Sequence, residues 1–246
     1  MFGLGKNKGP VIEFIASSKA NMQIFDAPIP AAKNIPEWYK KTRSNLYNDG
    51  LPHLDEKSGN PPRTIKSCMP VFDSMTAGYH VVLPADIFFE DIPNGDMPNI
   101  SWSIDQIKAI DTHSKTQFEH FNQGPEYYPV GIKFNNPWAI KTPPGYSCLF
   151  IQPSMRDDLP FQVIPGIVDT DLFPSPVNFP VFFKRGFTGM IEMGTPIVQI
   201  IPFKREEWTS TTSHYAPGYV ENEWQRAKIK VYNRYKTFYR ENKTWK

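Results

Sequence analysis

Apolar residues in the middle of the chain come in short runs broken by turn signals. Between positions 64 and 203 these runs cover 67–72, 79–83, 99–104, 131–134, 139–140, 146–152, 161–164, 177–184, 188–192 and 197–203. Turns recur about every ten residues, which predicts a mainly β sandwich or barrel. Upstream, 11–15 reads as a further strand. Prolines at 28, 30 and 36 then force an extended path, and Pro36 suits the first position of a short amphipathic helix over 37–47. Residues 48–63, rich in Asn, Gly, Pro, Asp and Ser, read as a surface loop. Near the end the pattern changes: Val220, Trp224, Ala227, Val231, Tyr235 and Phe238 recur at helical spacing. Arg226, Lys228, Lys230 and Arg234 cover much of the remaining surface of that helix. The expected organisation is an N-terminal extension over 1–63, a β domain over 64–208 and a basic helix over 209–246.

Composition sharpens this picture. A chain of 246 residues with 40% hydrophobic and 14% aromatic content has the apolar area for a core. Its 25 prolines and 15 glycines exclude a helical bundle. A net charge of +2 is too balanced to argue for nucleic acid, so any such contact falls to the basic helix. That helix meets phosphates or an acidic partner, or else packs on the β domain with a solvated basic face. Cys68 and Cys148 both lie in apolar runs and form no secreted framework, which favours a reducing compartment. No signal-type core follows the first residues and no stretch approaches the ~20 apolar residues of a membrane span, so a soluble, intracellular protein without a membrane partner is expected.

Few residues suggest chemistry by themselves. His113 and His120, with Glu119, have a spacing that a helix would turn into a metal site, but no second cluster supports them. His53, His80, His113, His120 and His214 read as ordinary side chains, and no metal is expected. Ser147 and Ser154 lack the turn that activates a nucleophilic serine. Phe179, Phe182, Phe183 and Phe187 read as strand core rather than as a platform for stacked bases.

Four patches, in order, carry a resemblance. Thr76-Ala77-Gly78-Tyr79-His80-Val81 comes first, and Gly145-Tyr146 through Gln152-Pro153-Ser154-Met155-Arg156 second. Gly166-Ile167-Val168-Asp169-Thr170-Asp171 and then Gly194-Thr195-Pro196-Ile197-Val198-Gln199 complete the set. Together they resemble the motifs of the dUTPase and dCTP-deaminase superfamily over about 66–203. That likeness implies a closed β-clip or jelly-roll barrel assembled as trimers. It also implies that Asp169 corresponds to the water-activating carboxylate, with Ser154, Arg156, Asp171 and Gln199 around the ligand and Mg²⁺ held largely by the triphosphate. The ends, with Ile35-Pro36-Glu37-Trp38-Tyr39 and Ser67-Cys68-Met69-Pro70-Val71-Phe72-Asp73, resemble an uncharacterised family of tailed-phage proteins.

The departures decide the functional expectation. His80 stands at the family's aspartate, Met155 at the glycine after its serine, Pro196 at its arginine, and Leu172-Phe173-Pro174 at a tyrosine–any–glycine turn. No glycine-rich loop follows 203, and Val177-Asn178-Phe179-Pro180-Val181 lacks the deaminase glutamate. Each well-placed phosphate donor contributes ~2–4 kcal/mol in the transition state, so losing several removes most catalysis. The expected role is therefore that of a non-catalytic phage protein, structural or interacting, in the host cytoplasm or the virion, with no cofactor. The alternative is a diverged nucleoside-triphosphate pyrophosphatase that uses Asp169 as general base. In the first case Asp169 and Asp171 serve as turn-capping aspartates.

Overall fold

The computed structural model describes residues 9–48, 51–52, 54, 62–105, 108–121, 123–214, 218 and 222. The expected basic helix, with Arg226, Lys228, Lys230 and Arg234, lies outside the described residues, as does His53. In chain order the elements begin with β1 (Glu13–Ala16), α1 (Lys19–Ile24), β2 (Ile29–Pro30), α2 (Glu37–Lys41), β3 (Tyr47–Asn48), β4 (Leu51–Pro52) and α3 (Met69–Thr76). There follow β5 (Tyr79–Val82), β6 (Ile87–Glu90), β7 (Asn99–Trp102), β8 (Ile110–Thr112), β9 (Ile132–Phe134), β10 (Trp138–Lys141) and β11 (Tyr146–Ile151). The last are β12 (Phe161–Val163), β13 (Gly166–Val168), β14 (Phe179–Phe183), β15 (Gly189–Ile191) and β16 (Pro196–Lys204).

The protein is mainly β, and the strand pairings among the described residues are antiparallel. The largest sheet has the order β13-β11-β16-β5-β2; a second runs β12-β14-β9-β8 and a third β15-β6-β7. Their inner faces share one core. Val81, Cys148, Phe150, Val198 and Ile200 from the first sheet meet Ile110, Ile132, Phe134, Phe161, Val181 and Phe183 from the second and Ile87, Phe89 and Ile191 from the third. Four phenylalanines knit this centre: Phe89 stacks on Phe183 at 4.1 Å, while Phe161 meets Phe134 at 5.2 Å and Phe183 at 5.5 Å. Such ring pairs add roughly 0.5–1.5 kcal/mol each beyond their buried area.

The expected barrel does not close. Among the described residues the sheets end in the open edges β13, β2, β12, β8, β15 and β7. Two local causes are visible. Pro30 in β2 lacks the N–H that another strand would need. At β8, the Asp111 carboxylate accepts the Thr112 N–H at 2.9 Å, which fills the outward ladder position at Thr112 and leaves the one at Ile110 open.

The run at 67–72 is helical rather than extended. Thr64 caps a 3-10 turn over Ile65–Ser67 by accepting the Lys66 N–H, and the N–H groups of Val71 and Phe72 then bond the Cys68 carbonyl. Pro70 sits in the first turn of α3, where no intrahelical donor is required of it. α2 stops at Lys41, short of the expected 47, and carries a Glu37–Lys40 ion pair at 2.6 Å.

By contact the chain divides into two compact units, Met1–Lys40 with Met75–Arg205, and Lys41–Ser74 with Glu206–Lys246. The first therefore takes in much of the expected N-terminal extension, since β1 pairs with β10 and β2 with β5. In the second, β3 and β4 form a hairpin, and Thr64 ties back to Ser44 through its N–H at 3.0 Å. Among the described residues no helix is long and apolar enough to cross a membrane.

Candidate functional site

Asp169 and Asp171 leave the end of β13 in a turn where Leu172 and Phe173 N–H groups bond the Asp169 carbonyl. Opposite them, Arg205 follows β16, its N–H fixed on the Gly145 carbonyl at 2.8 Å. Its guanidinium grips Asp171 with two parallel bonds, Nη1 to Oδ1 at 2.8 Å and Nη2 to Oδ2 at 2.5 Å. The Gly145 N–H donates to the same carboxylate at 2.7 Å. Asp169 sits beside this pair, accepting from the Ser147 hydroxyl at 2.6 Å and facing Arg205 Nη1 at 3.1 Å. Fork-on-carboxylate geometry is the strongest ordinary form of ion pair. It holds the Asp171 carboxyl down at about 2, through the Arg205 bonds first and the Gly145 N–H as a further contribution.

Burial separates the two aspartates. The Asp171 side chain is 5% exposed and that of Asp169 49%. Behind them Thr142, Ser147, Thr170 and Cys148 are buried; the Thr142 and Thr170 hydroxyls meet at 2.7 Å, and Thr170 bonds the Cys148 sulfur at 3.4 Å. Burial pushes the Cys148 thiol up from its ordinary value, so it is not a poised nucleophile.

Ser154, Arg156 and Gln199 gather at the other end of the same strands. Gln199 is buried, accepts the Ser154 N–H at 2.9 Å and donates to the Ala77 carbonyl at 2.8 Å. Arg156 is clamped on Asp158, with Nε at 2.8 Å and Nη2 at 2.9 Å from its two oxygens. His80 lies opposite Gln199 in the β5–β16 ladder, 3% exposed, with neither ring nitrogen hydrogen-bonded among the described residues. Burial, and then the charge of Arg156, lower its pKa to about 4.

The five expected ligand and catalytic residues thus form two clusters, not one. Ser147 pairs with Phe203 and Ile151 with Gln199. Four residue steps, about 13 Å along the β11–β16 pair, separate the ends. Arg205 and Ser147 complete the first cluster and were not anticipated from the sequence. The histidines do not converge: His113 turns its ring to the Gln117 amide at 3.1 Å, and His120 is exposed beside Glu119. Among the described residues no three His, Cys, Asp or Glu side chains gather as a metal site would need.

The cluster makes a direct prediction. Asp171→Asn should lower the melting temperature clearly more than Asp169→Asn, because only Asp171 is both buried and doubly bonded to Arg205. The depressed Asp171 pKa contributes stability that is present above the ordinary carboxylate range and lost as pH falls toward 2. Asp171→Asn should therefore weaken the acid dependence between about pH 4 and 2, a change that melting curves across that range would register.

No protein-family model matches the chain, and no curated protein matches it.

Proposed function

We propose that the chain is a non-catalytic structural or interaction protein, of the kind found in tailed-phage particles, on a scaffold related to that of the dUTPases. One observation carries this reading: Arg156 and Gln199, which correspond to parts of the nucleotide grip, are engaged within the chain, as is the nearby Arg205. Arg156 is held by Asp158, and Gln199 by Ser154 and Ala77. Arg205, the cation beside the two aspartates, is held by Asp171. Freeing any of them for a phosphate means breaking a charge-assisted or buried hydrogen bond, with a cost of roughly 1–3 kcal/mol before binding begins.

Assembly as trimers is part of the proposal. Ile167 on the open edge strand β13 and Leu172 and Phe173 in the turn after it are exposed. An edge strand that carries apolar side chains is a natural place for subunits to meet.

Melting the full chain with a panel of deoxynucleoside and ribonucleoside triphosphates, with and without Mg²⁺, tests the reading. The expected result is no shift with any nucleotide. A ligand at ~100 times its dissociation constant would add about 2.7 kcal/mol, or roughly 5–10 °C for a protein of this size. Pyrophosphate release that disappears in Asp169→Asn would overturn the proposal and establish the pyrophosphatase reading.

A further inference from the structure

β7 and β8 are consecutive strands that do not pair. β7 closes one sheet and β8 closes the next, and a groove of about 540 Å³ lies between them. Met97, Ile100, Trp102 and Ile110 give it an apolar lining, with Lys108 and Asp111 at the β8 side.

The hydrogen-bond phase of each strand shows what the groove presents. Ser103 donates to the Asp86 carbonyl, so in the β6–β7 register the bonded positions are 103, 101 and 99. The N–H and C=O of Ile100 point away from β6. On β8, Asn135 donates to the Ala109 carbonyl and His113 to that of Gly131, which makes 109, 111 and 113 the bonded positions. Ile110 therefore turns its N–H and C=O away from β9. Among the described residues, Ile100 and Ile110 each leave a donor and an acceptor unbonded on a border of one apolar groove, while the Thr112 N–H beyond Ile110 is held by the Asp111 carboxylate. Another extended backbone offers the alternating donors and acceptors that suit both edges.

Side chains and charge narrow the occupant. Ile110 belongs to the core and Ile100 and Trp102 pack against it, so alternate residues of an incoming strand would extend the same apolar layer. Lys108 and Lys133 approach the single Asp111 carboxylate at 3.1 and 3.5 Å, leaving excess positive charge on this wall. We infer that the β7–β8 groove is a β-augmentation site for an extended segment of a partner protein, apolar at alternate positions and carrying a carboxylate that meets Lys108. Such a segment would join the two sheets into one layer. None of these residues belongs to the Asp169–Asp171 cluster, so the site stands whatever the nucleotide panel shows.

The test uses the full chain and a panel of labelled, capped seven-residue peptides. They carry Val, Ile, Leu or Phe at alternate positions, with Glu or Lys among Thr residues between them. Fluorescence anisotropy should find members that bind, with Glu peptides at least ten-fold tighter than their Lys counterparts. Lys108→Glu should reverse that preference, and N-methylation of the peptide backbone should abolish binding. In amide exchange, the best peptide should slow the Ile100 and Ile110 amides at least ten-fold and leave Ser101 and Asp111 nearly unchanged. Absence of binding across the panel, equal binding by the N-methylated peptide, or protection of Ile100 and Ile110 in a free, self-associated chain would each overturn the inference.

Discussion

Gly78→Ala should remove a large share of the stability of the first compact unit. Gly78 links the end of α3 to β5 with φ at +68°, and an added Cβ would lie 1.9 Å from the Ile200 carbonyl oxygen and 3.2 Å from the Ile201 Cα. Ile200 is the ladder partner of Tyr79, so the obstacle is the backbone of the central strand β16 and not a side chain that can swing away. The left-handed conformation costs an alanine about 1–2 kcal/mol. Relieving the contact means displacing β16 from β5, for a total loss of at least about 4 kcal/mol out of the ~5–15 available to a typical domain. The melting temperature should fall by roughly 10 °C or more. Gly194→Ala is the comparator. Gly194 has φ at +82° but nothing within 4 Å of its added Cβ, so it should lose only the conformational ~1–2 kcal/mol. Urea unfolding of both variants reads the difference, and equal losses would mean that Gly78 is not pressed against β16.

Which parts of this fold can be read from residues alone follows from where the physical signal resides. The runs at 79–83, 146–152 and 197–203 are strands because they are apolar, β-branched and bounded by Gly78, Gly145 and Gly194. β6 is not legible in the sequence although Ile87 and Phe89 point inward and Phe88 and Glu90 outward: Phe88 is apolar yet exposed, which hides the alternation. β8 is three residues long and contains Asp111, so no apolar run marks it. At 67–72 an apolar run suggested a strand, but Thr64 and Pro70 are helix-entry residues, and the capping won. Barrel closure was not legible because it depends on edges. Whether β7 meets β8 is a matter of register and spacing between sheets, which hydrophobicity does not encode.

The candidate site was half legible for a related reason. The aspartates stood out because a Gly-Ile-Val-Asp sequence is local. Arg205 lies 34 residues beyond Asp171 and reaches it only through the pairing of β11 with β16. Nothing near Arg205 in sequence distinguishes it from Lys204, its neighbour, which stands opposite Tyr146. Long-range partners of this kind appear only once strands are paired, and here one arginine reaches both aspartates of the motif.

His80 gives the protein a second acid sensitivity, at higher pH than that of Asp171. It is 3% exposed, neither ring nitrogen has a hydrogen-bond partner among the described residues, and its pKa lies at about 4 against 6.5 for a free histidine. Above pH 6.5 folded and unfolded chains both carry it neutral, and it adds no pH dependence. Between pH 6.5 and about 4 the unfolded chain binds a proton that the folded one refuses, so stability declines as pH falls. A shift of this size corresponds to roughly 3 kcal/mol over that window, comparable with a large core mutation. His80→Leu should flatten the decline. It also removes two buried, unpartnered polar atoms, so the variant should be at least as stable as the parent at pH 7. Urea midpoints at pH 7, 5.5 and 4 provide the check. A His80→Leu protein that loses stability in parallel with the parent would show that His80 is not the titrating group, and a large loss at pH 7 would show that its nitrogens have a partner.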